Sequence, residues 1–98
     1  MKRIVWSREA SKDISRLRSF IHEKNPDAAG RAVKTIRGGV KLLETLPEIG
    51  QPLEGLRWEY REKLVPFGAG VYTLRYRIAG DRVVILAIRH GLEDDFKN

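Results

Sequence analysis

Residues Val71 to His90 read Val-Tyr-Thr-Leu-Arg-Tyr-Arg-Ile-Ala-Gly-Asp-Arg-Val-Val-Ile-Leu-Ala-Ile-Arg-His, two runs rich in β-branched and aromatic residues that flank Ala79, Gly80 and Asp81. Two such runs joined by a short turn are typical of a β-hairpin. Gly80 tolerates the positive φ that a tight turn needs, and the Asp81 side chain can hydrogen-bond its own backbone. The sequence therefore predicts two adjacent antiparallel strands.

The two arms of this hairpin differ in pattern. In the first arm Tyr72, Leu74, Tyr76 and Ile78 alternate with Val71, Thr73, Arg75 and Arg77. This alternation predicts one buried and one solvated face. The second arm is apolar without interruption from Val83 to Ile88, which is typical of a strand covered on both faces. We therefore expect the second arm in the middle of the sheet, with the first arm beside it.

Two helices are predicted upstream of the hairpin, after a short strand from Lys2 to Trp6. Ser7 is a typical N-cap for the first helix, and Asn25-Pro26-Asp27 ends that helix and begins the next. Apolar residues recur at helical spacing in both segments. They are Ala10, Ile14, Leu17, Phe20 and Ile21 in the first, and Ala29, Val33, Ile36, Val40, Leu43 and Leu46 in the second. This period continues across Gly38-Gly39, so we expect close packing there rather than a kink.

One more strand is predicted between the second helix and the hairpin. The connector from Leu46 to Pro52 holds two prolines and a glycine, which do not allow regular structure for long. In Tyr60 to Val65, Arg61 and Lys63 alternate with Tyr60, Glu62 and Leu64, as expected of a strand at the sheet edge. The order β-α-α-β-β-β predicts a single α+β domain over 1–98, with a helical hairpin on one face of a mainly antiparallel four-stranded sheet.

Composition limits the class of protein and its partners. The 98 residues suffice for one modest core, and the absence of cysteine excludes disulfides and thiol chemistry and suits a reducing cytoplasm. Behind Met1-Lys2-Arg3 the apolar run is too short for a signal peptide or a membrane span, so no membrane partner is predicted. The formal net charge of +6 indicates an anionic partner surface: a nucleic acid, an anionic membrane or an acidic protein, between which charge alone does not choose.

Six segments of the sequence, by their order and spacing, resemble those of a known protein family. They are Leu46-Pro47-Glu48-Ile49-Gly50, Gly55-Leu56-Arg57, Tyr60-Arg61-Glu62-Lys63-Leu64-Val65, Tyr72-x-Leu-x-Tyr-Arg77, Gly80-Asp81-Arg82-Val83-x-Ile-Leu and Ile88-Arg89-His90-Gly91. Together they resemble the ParE branch of the RelE/ParE toxin superfamily, over nearly the whole chain. The resemblance implies a toxin of a bacterial type II toxin-antitoxin pair, with the first strand paired to the last. It also implies a cognate ParD-like antitoxin whose disordered segment folds over the toxin in a hetero-oligomer.

Family members act on two targets, and one fold does not decide between them. ParE members typically poison DNA gyrase, whereas RelE members are ribosome-dependent endonucleases of messenger RNA. The resemblance therefore implies either a non-enzymatic gyrase poison or a metal-independent endoribonuclease. A nucleic-acid-binding regulator with a basic face is a third hypothesis, from a different class of protein. No cofactor is expected, and two histidines with scattered carboxylates do not form a metal-site pattern.

Candidate site residues follow from these hypotheses. A ribonuclease of this kind needs a general base, a general acid and cations for the phosphate. Five cations could form a basic strip along the strands: Arg61, Lys63, Arg75, Arg77 and Arg89. With His90 beside it, the catalytic set would be His90, Arg61 and Arg75. In the alternative interpretation these residues are solvated strand faces, and the strip is at most a surface for antitoxin or target.

Two further features bear on binding. Trp58, with Leu53, Leu56 and Phe67, either forms an apolar patch for the antitoxin or belongs to the core. After His90-Gly91, ParE members usually carry basic residues, whereas this chain has the acidic segment Leu92-Glu93-Asp94-Asp95-Phe96. Phe96 could stack on a base or hold the tail against the core.

Overall fold

Two helices lie on one face of a curved five-stranded sheet in the computed structural model, which describes residues 1–91. The elements in chain order are β1 (Arg3–Trp6), α1 (Arg8–Lys24), α2 (Pro26–Leu42), β2 (Gln51–Pro52), β3 (Tyr60–Phe67), β4 (Gly70–Ala79) and β5 (Arg82–His90). The strand order is β1-β5-β4-β3-β2. β1 runs parallel to β5 and the other pairs are antiparallel, so the predicted α+β class and the pairing of the first strand with the last are confirmed.

The strand count is corrected from four to five. The additional strand β2 has only two residues, Gln51 and Pro52, which pair with Glu62 and Arg61. A strand of two residues, one of them a proline, leaves no periodic pattern in the sequence. For this reason β2 was not predicted. Since β2 is so short, the outer edge of β3 has no strand beside it from Lys63 to Phe67 among the described residues.

The hairpin of β4 and β5 is confirmed, and its register contains one irregularity. Gly80 has a φ of 61° in the turn. Arg75 lies opposite Ala87 but Tyr76 lies opposite Ile85, so one extra residue is accommodated at Leu86. This bulge allows both Ile85 and Ile88 to face the helices although they are three residues apart.

The core lies between the helices and this hairpin. The buried face of β4 is the predicted one, with Tyr72, Leu74 and Tyr76 at most 2% exposed. The predicted apolar faces of both helices are buried against it, with two exceptions. Phe20 is 42% exposed beside Lys24, and Leu46 is exposed because α2 ends at Leu42.

The placement of β5 departs from the prediction in two respects. Its second face is not covered by the described residues, since Val84, Leu86 and Ala87 are only half-buried. In addition, β1 pairs only with Arg82 to Ile85. Beyond Ile85, side chains of α1 and its N-cap bind the backbone at this edge of β5. Ser7 Oγ donates to Leu86 O at 3.2 Å, and Arg16 Nη2 donates to Ile88 O at 3.3 Å. Polar side chains of α1 thus satisfy backbone groups that a neighbouring strand would otherwise satisfy.

The local signals for the helix ends and for close packing are largely confirmed. Ser7 caps α1 by accepting from Ala10 N at 3.0 Å, and Asn25 caps α2 by accepting from Ala28 N at 3.2 Å. A Cβ on Gly39 would lie 2.9 Å from Val65 Cγ2, so α2 packs closely against β3 there. Gly38 has no such neighbour within 4 Å. No helix among residues 1–91 is long and apolar enough to cross a membrane.

Candidate functional site

The five predicted cations do not form one strip, because the strands place them on opposite faces of the sheet. Arg61 pairs with Tyr76 and Lys63 with Leu74, so both project from the face that the helices cover. Arg75 and Arg77 alternate with those buried residues and project from the open face. The predicted alternation of β3 is therefore correct, but the face assigned to Arg61 and Lys63 is corrected.

Arg61 is buried in the layer between the sheet and the connector that follows α2. It is 6% exposed, and its Nη1 donates to Glu48 O at 3.1 Å and to Gly50 O at 2.8 Å. Its guanidinium carbon lies 4.7 Å from the ring centroid of Trp58, a cation–π contact. Its Nε has no hydrogen-bond partner among residues 1–91. Arg61 is thus a structural cation whose buried Nε–H has no acceptor among these residues.

Tyr76 fixes the same connector from the neighbouring strand. Its hydroxyl donates to Pro47 O at 2.7 Å and accepts from Gly50 N at 2.9 Å. Burial raises the pKa of this phenol, and the Gly50 N–H opposes that shift only in part. A Cβ on Gly50 would lie 2.5 Å from the Tyr76 hydroxyl, so only glycine fits. Together Arg61 and Tyr76 hold the Pro47 to Gly50 backbone against the sheet.

The connector and the loop after β2 expose four apolar side chains, which we call together the connector patch. It consists of Leu46, Ile49, Leu56 and Trp58. Trp58 is 53% exposed and Leu56 is 56% exposed, although the other face of the Trp58 indole stacks on Arg61. Leu53 and Phe67, which the sequence grouped with Trp58, are half-buried instead, and Phe67 packs on the core.

A surface ion pair flanks Trp58 on both sides in sequence. Arg57 Nε donates to Glu59 Oε1. This hydrogen bond lowers the pKa of the Glu59 carboxyl and raises the pKa of Arg57. The pair spans the residue whose indole is exposed, so it restricts the loop that presents Trp58.

Arg89 takes part in a buried ion-pair cluster with α1. Its Nη1 lies 2.5 Å from Asp13 Oδ2, and its Nη2 lies 3.9 Å from Glu9 Oε2. Asp13 is 1% exposed, and it also accepts from Arg16 Nη1 at 2.8 Å and from Ile88 N at 2.8 Å. The cluster joins α1 to the end of β5.

Sequence reasoning missed Asp13. The available signal was a carboxylate adjacent to Ile14 on the apolar face of a helix, between Ala10 and Leu17. Because a carboxylate is almost never buried without a partner, this position indicates an ion pair, but the partner Arg89 is far away in sequence.

His90 lies beside the core at the end of β5. Its ring meets Tyr72 edge-on with centroids 4.9 Å apart, and a Cβ on Gly70 would lie 2.6 Å from its Nε2. It borders a cleft of about 470 Å³ that Ala69, Gly70, Val71 and Gly91 also line. In the sheet register His90 lies opposite Tyr72, and Arg61 lies opposite Tyr76. Tyr72 and Tyr76 are four positions apart on β4, which corresponds to about 13 Å along the strand. His90, Arg61 and Arg75 are therefore not brought together.

The remaining predicted residues lie on or near the open face. Arg75 Nε donates to Glu62 Oε2 at 3.4 Å, and both side chains are one-third exposed. Arg77 is half-buried on the same face, and Lys63 is half-buried on the opposite one. Residues 1–91 contain no group of three or more His, Asp or Glu side chains placed to hold a metal ion. The predictions for the acidic tail, Glu93 to Phe96, fall outside the described residues.

Comparisons with known proteins give the family. The family model described as "ParE toxin of type II toxin-antitoxin system, parDE" matches residues 4–95. Two proteins of Caulobacter vibrioides are similar over nearly their whole length. Toxin RelE3 is 36% identical over 95% of this chain and 98% of its own, and toxin RelE1 is 32% identical over 92% and 94%.

A solved structure shows the same fold. A chain of the chromosomal ParDE TA system from P. aeruginosa superposes with a TM-score of 0.71, at 22% identity, over 90% of this chain and 94% of its own. The family model covers more than nine-tenths of the sequence, and the layers and strand order agree with the resemblance drawn from the connector and strands. This chain belongs to the ParE toxin family and is a toxin of a type II toxin-antitoxin system.

Proposed function

We propose that this toxin arrests growth by binding DNA gyrase in the cytoplasm, and that a cognate ParD-like antitoxin neutralises it. Membership of the ParE toxin family supports this target. The mode of action is inhibition through protein contact, without a bond-breaking step by the toxin itself.

The observation that carries this proposal is the separation of the groups that a ribonuclease would need. Arg61 is buried under the connector, Arg89 is paired with Asp13, and Arg75 lies on the opposite face of the sheet from Arg61. General acid–base chemistry needs groups within hydrogen-bond reach of one substrate. These cations instead serve the fold, which favours a binding poison over an enzyme.

The connector patch is the proposed anchor site for the antitoxin. An exposed indole over a buried arginine is the type of group that dominates protein interfaces. No carboxylate of residues 1–91 forms an ion pair with Arg61, and its positive charge beneath the Trp58 indole favours an acidic segment of the antitoxin. A segment that also reached Arg75 and Arg77 would have to wrap around the free edge of β3. Such a segment would bury about 1,600 Å² or more in total.

A supercoiling assay with purified gyrase tests the target. We expect the full-length toxin to inhibit supercoiling in a dose-dependent manner, and the antitoxin at equal concentration to restore it. Heat-unfolded toxin serves as the control for non-specific effects. Full gyrase activity at saturating folded toxin would contradict the proposal.

A second candidate function is messenger RNA cleavage in the ribosome. It is favoured by the cleft beside His90, since a half-buried imidazole at the border of a cleft can serve as a general base. Under this candidate His90→Ala abolishes growth arrest and transcript cleavage. Growth arrest by His90→Ala as strong as that of the parent toxin would exclude it.

A further inference from the structure

The helical layer of this chain carries an excess of positive charge. Residues 8–42 contain nine Lys and Arg but four Asp and Glu, whereas the rest of the chain contains ten and nine. The helical layer therefore has a formal charge of +5. The strands are basic as well, with seven Lys and Arg against one Glu, and the acidic residues that offset them lie in the loops and the tail.

The packing of the two helices places the second half of α2 beside β1. Arg37 stacks over Trp6 at 5.3 Å, and Lys2 N donates to Glu44 O at 2.8 Å. The second half of α2 thus lies beside the end of β1, where α1 begins. Six exposed cations form what we call the basic helical face: Arg8, Lys12, Arg31, Lys34, Arg37 and Lys41.

The carboxylates of the helical layer do not neutralise this face. Asp13 is buried against Arg16 and Arg89, and Glu9 lies near Arg89. Glu23 and Asp27 lie at the junction of the two helices, away from Lys12 and Lys41, although Arg31 donates to the backbone oxygen of Asp27 at 3.2 Å. Among residues 1–91, no carboxylate forms an ion pair with any of the six cations. Their charge is therefore available to an anionic partner.

We propose that the basic helical face binds the phosphate backbone of duplex DNA without sequence preference. Arg31 to Lys41 extend about 15 Å along α2, which compares with the width of about 12 Å of the major groove of B-DNA. Gly30 and Gly38 leave open space on this helix, so its backbone can approach the duplex closely. The deep and narrow major groove of A-form RNA does not admit a helix in this way.

The recognition chemistry of this face suits backbone contact rather than base reading. α2 has no Asn or Gln that could pair with adenine, and its exposed cations are the typical partners of phosphate. The inference does not depend on gyrase as the target, because the basic helical face and the connector patch consist of different residues.

Binding of the full-length toxin to a short random-sequence DNA duplex, measured by fluorescence anisotropy over a salt series, tests this proposal. Six phosphate contacts predict a slope of log K against log salt of about −5. The triple variant Lys12→Gln/Lys34→Gln/Lys41→Gln should have a slope of about −3 and bind at least ~10-fold more weakly at low salt. All three side chains are exposed, and thermal unfolding of the variant verifies that its fold is retained.

The matched control is Arg3→Gln/Arg57→Gln/Arg82→Gln, which removes the same charge from exposed positions outside the helices. We expect this control to keep the slope of the parent. The proposal is overturned if the control loses as much affinity as the helical variant, or if no binding is measurable at low salt. It is also overturned if an RNA duplex of the same sequence binds more tightly, or if polyglutamate of matched charge competes as well as DNA.

Discussion

At the residue scale, Asp13 and Tyr76 show how single polar groups fix the layers of this toxin. The Asp13 carboxylate forms ion pairs with two arginines and accepts a hydrogen bond from one backbone N–H, so its buried charge is fully compensated. Tyr76 uses its hydroxyl both as donor and as acceptor for one loop. Neither group lies where a substrate would meet it, so both act on the structure.

Replacing Asp13 by Asn should destabilise the protein by about 3–5 kcal/mol, because it leaves Arg89 and Arg16 without their common carboxylate. Urea unfolding measures this loss. Glu9→Gln is the control, because Glu9 is exposed and lies 3.9 Å from the same Arg89, and it should cost less than about 1 kcal/mol. Equal losses of stability in the two variants would show that the buried ion pair of Asp13 and Arg89 contributes no more than the exposed one.

Tyr76 should make stability fall at alkaline pH. Burial raises its pKa above the ordinary value of 10.0, so the unfolded chain loses the phenolic proton first as the pH rises. The stabilising contribution of the neutral phenol is therefore complete below about pH 10 and declines as the pH rises through the folded-state pKa. Tyr76→Phe should cost about 1–3 kcal/mol at neutral pH and reduce this alkaline decline. Denaturant unfolding from neutral to alkaline pH tests both effects, and an unchanged decline in the variant would disprove the assignment.

At the element scale, periodicity predicted much of the fold but not every face. In β4 the aromatic and aliphatic residues at Tyr72, Leu74 and Tyr76 predicted both the alternation and the buried side. In β3 the alternation was correct, but Arg61 lies on the buried side because the carbonyls of Glu48 and Gly50 compensate its charge. Those acceptors belong to an irregular connector, whose path no pattern in the sequence specifies. The position of a buried charge therefore depended on tertiary structure.

The contact between α2 and β3 can be tested at its two glycines. Gly38→Ala should stabilise the protein by about 0.5–1 kcal/mol, because the site is open and alanine favours a helix. Gly39→Ala should destabilise it by about 1 kcal/mol or more, since the new methyl group would meet Val65 at 2.9 Å. Thermal and denaturant unfolding of the two variants measure both changes in stability. A stabilised Gly39→Ala variant would show that the two elements are not in close contact.

At the scale of the whole molecule, the cations of the helices and those of the strands differ in exposure and in pairing. Composition predicted a basic protein with an anionic partner, but the sequence interpretation placed the cations on the strands. The folded chain separates two groups of cations: six on the helices are exposed and form no ion pair among residues 1–91, whereas Arg61 is buried and Arg89 is paired with Asp13. This separation could not be read from the sequence because it depends on which helix faces are buried.

The connector patch should dominate the affinity for the antitoxin. Trp58→Ala should weaken antitoxin binding by about 2 kcal/mol or more, which is roughly 30-fold, as expected of a central interface tryptophan. Isothermal titration measures this change. Val5→Ala, an exposed apolar position at the opposite edge of the sheet, is the control and should leave the affinity nearly unchanged. Similar losses of antitoxin affinity in the two variants would contradict the proposal that the connector patch anchors the antitoxin.

Pulse labelling of DNA, RNA and protein synthesis after induction of the toxin in a bacterial host tests the gyrase proposal most directly. We expect DNA synthesis to stop first, with an SOS response and intact transcripts, and the antitoxin to reverse the arrest. An early stop of protein synthesis with cleaved transcripts, while DNA synthesis continues, would contradict it.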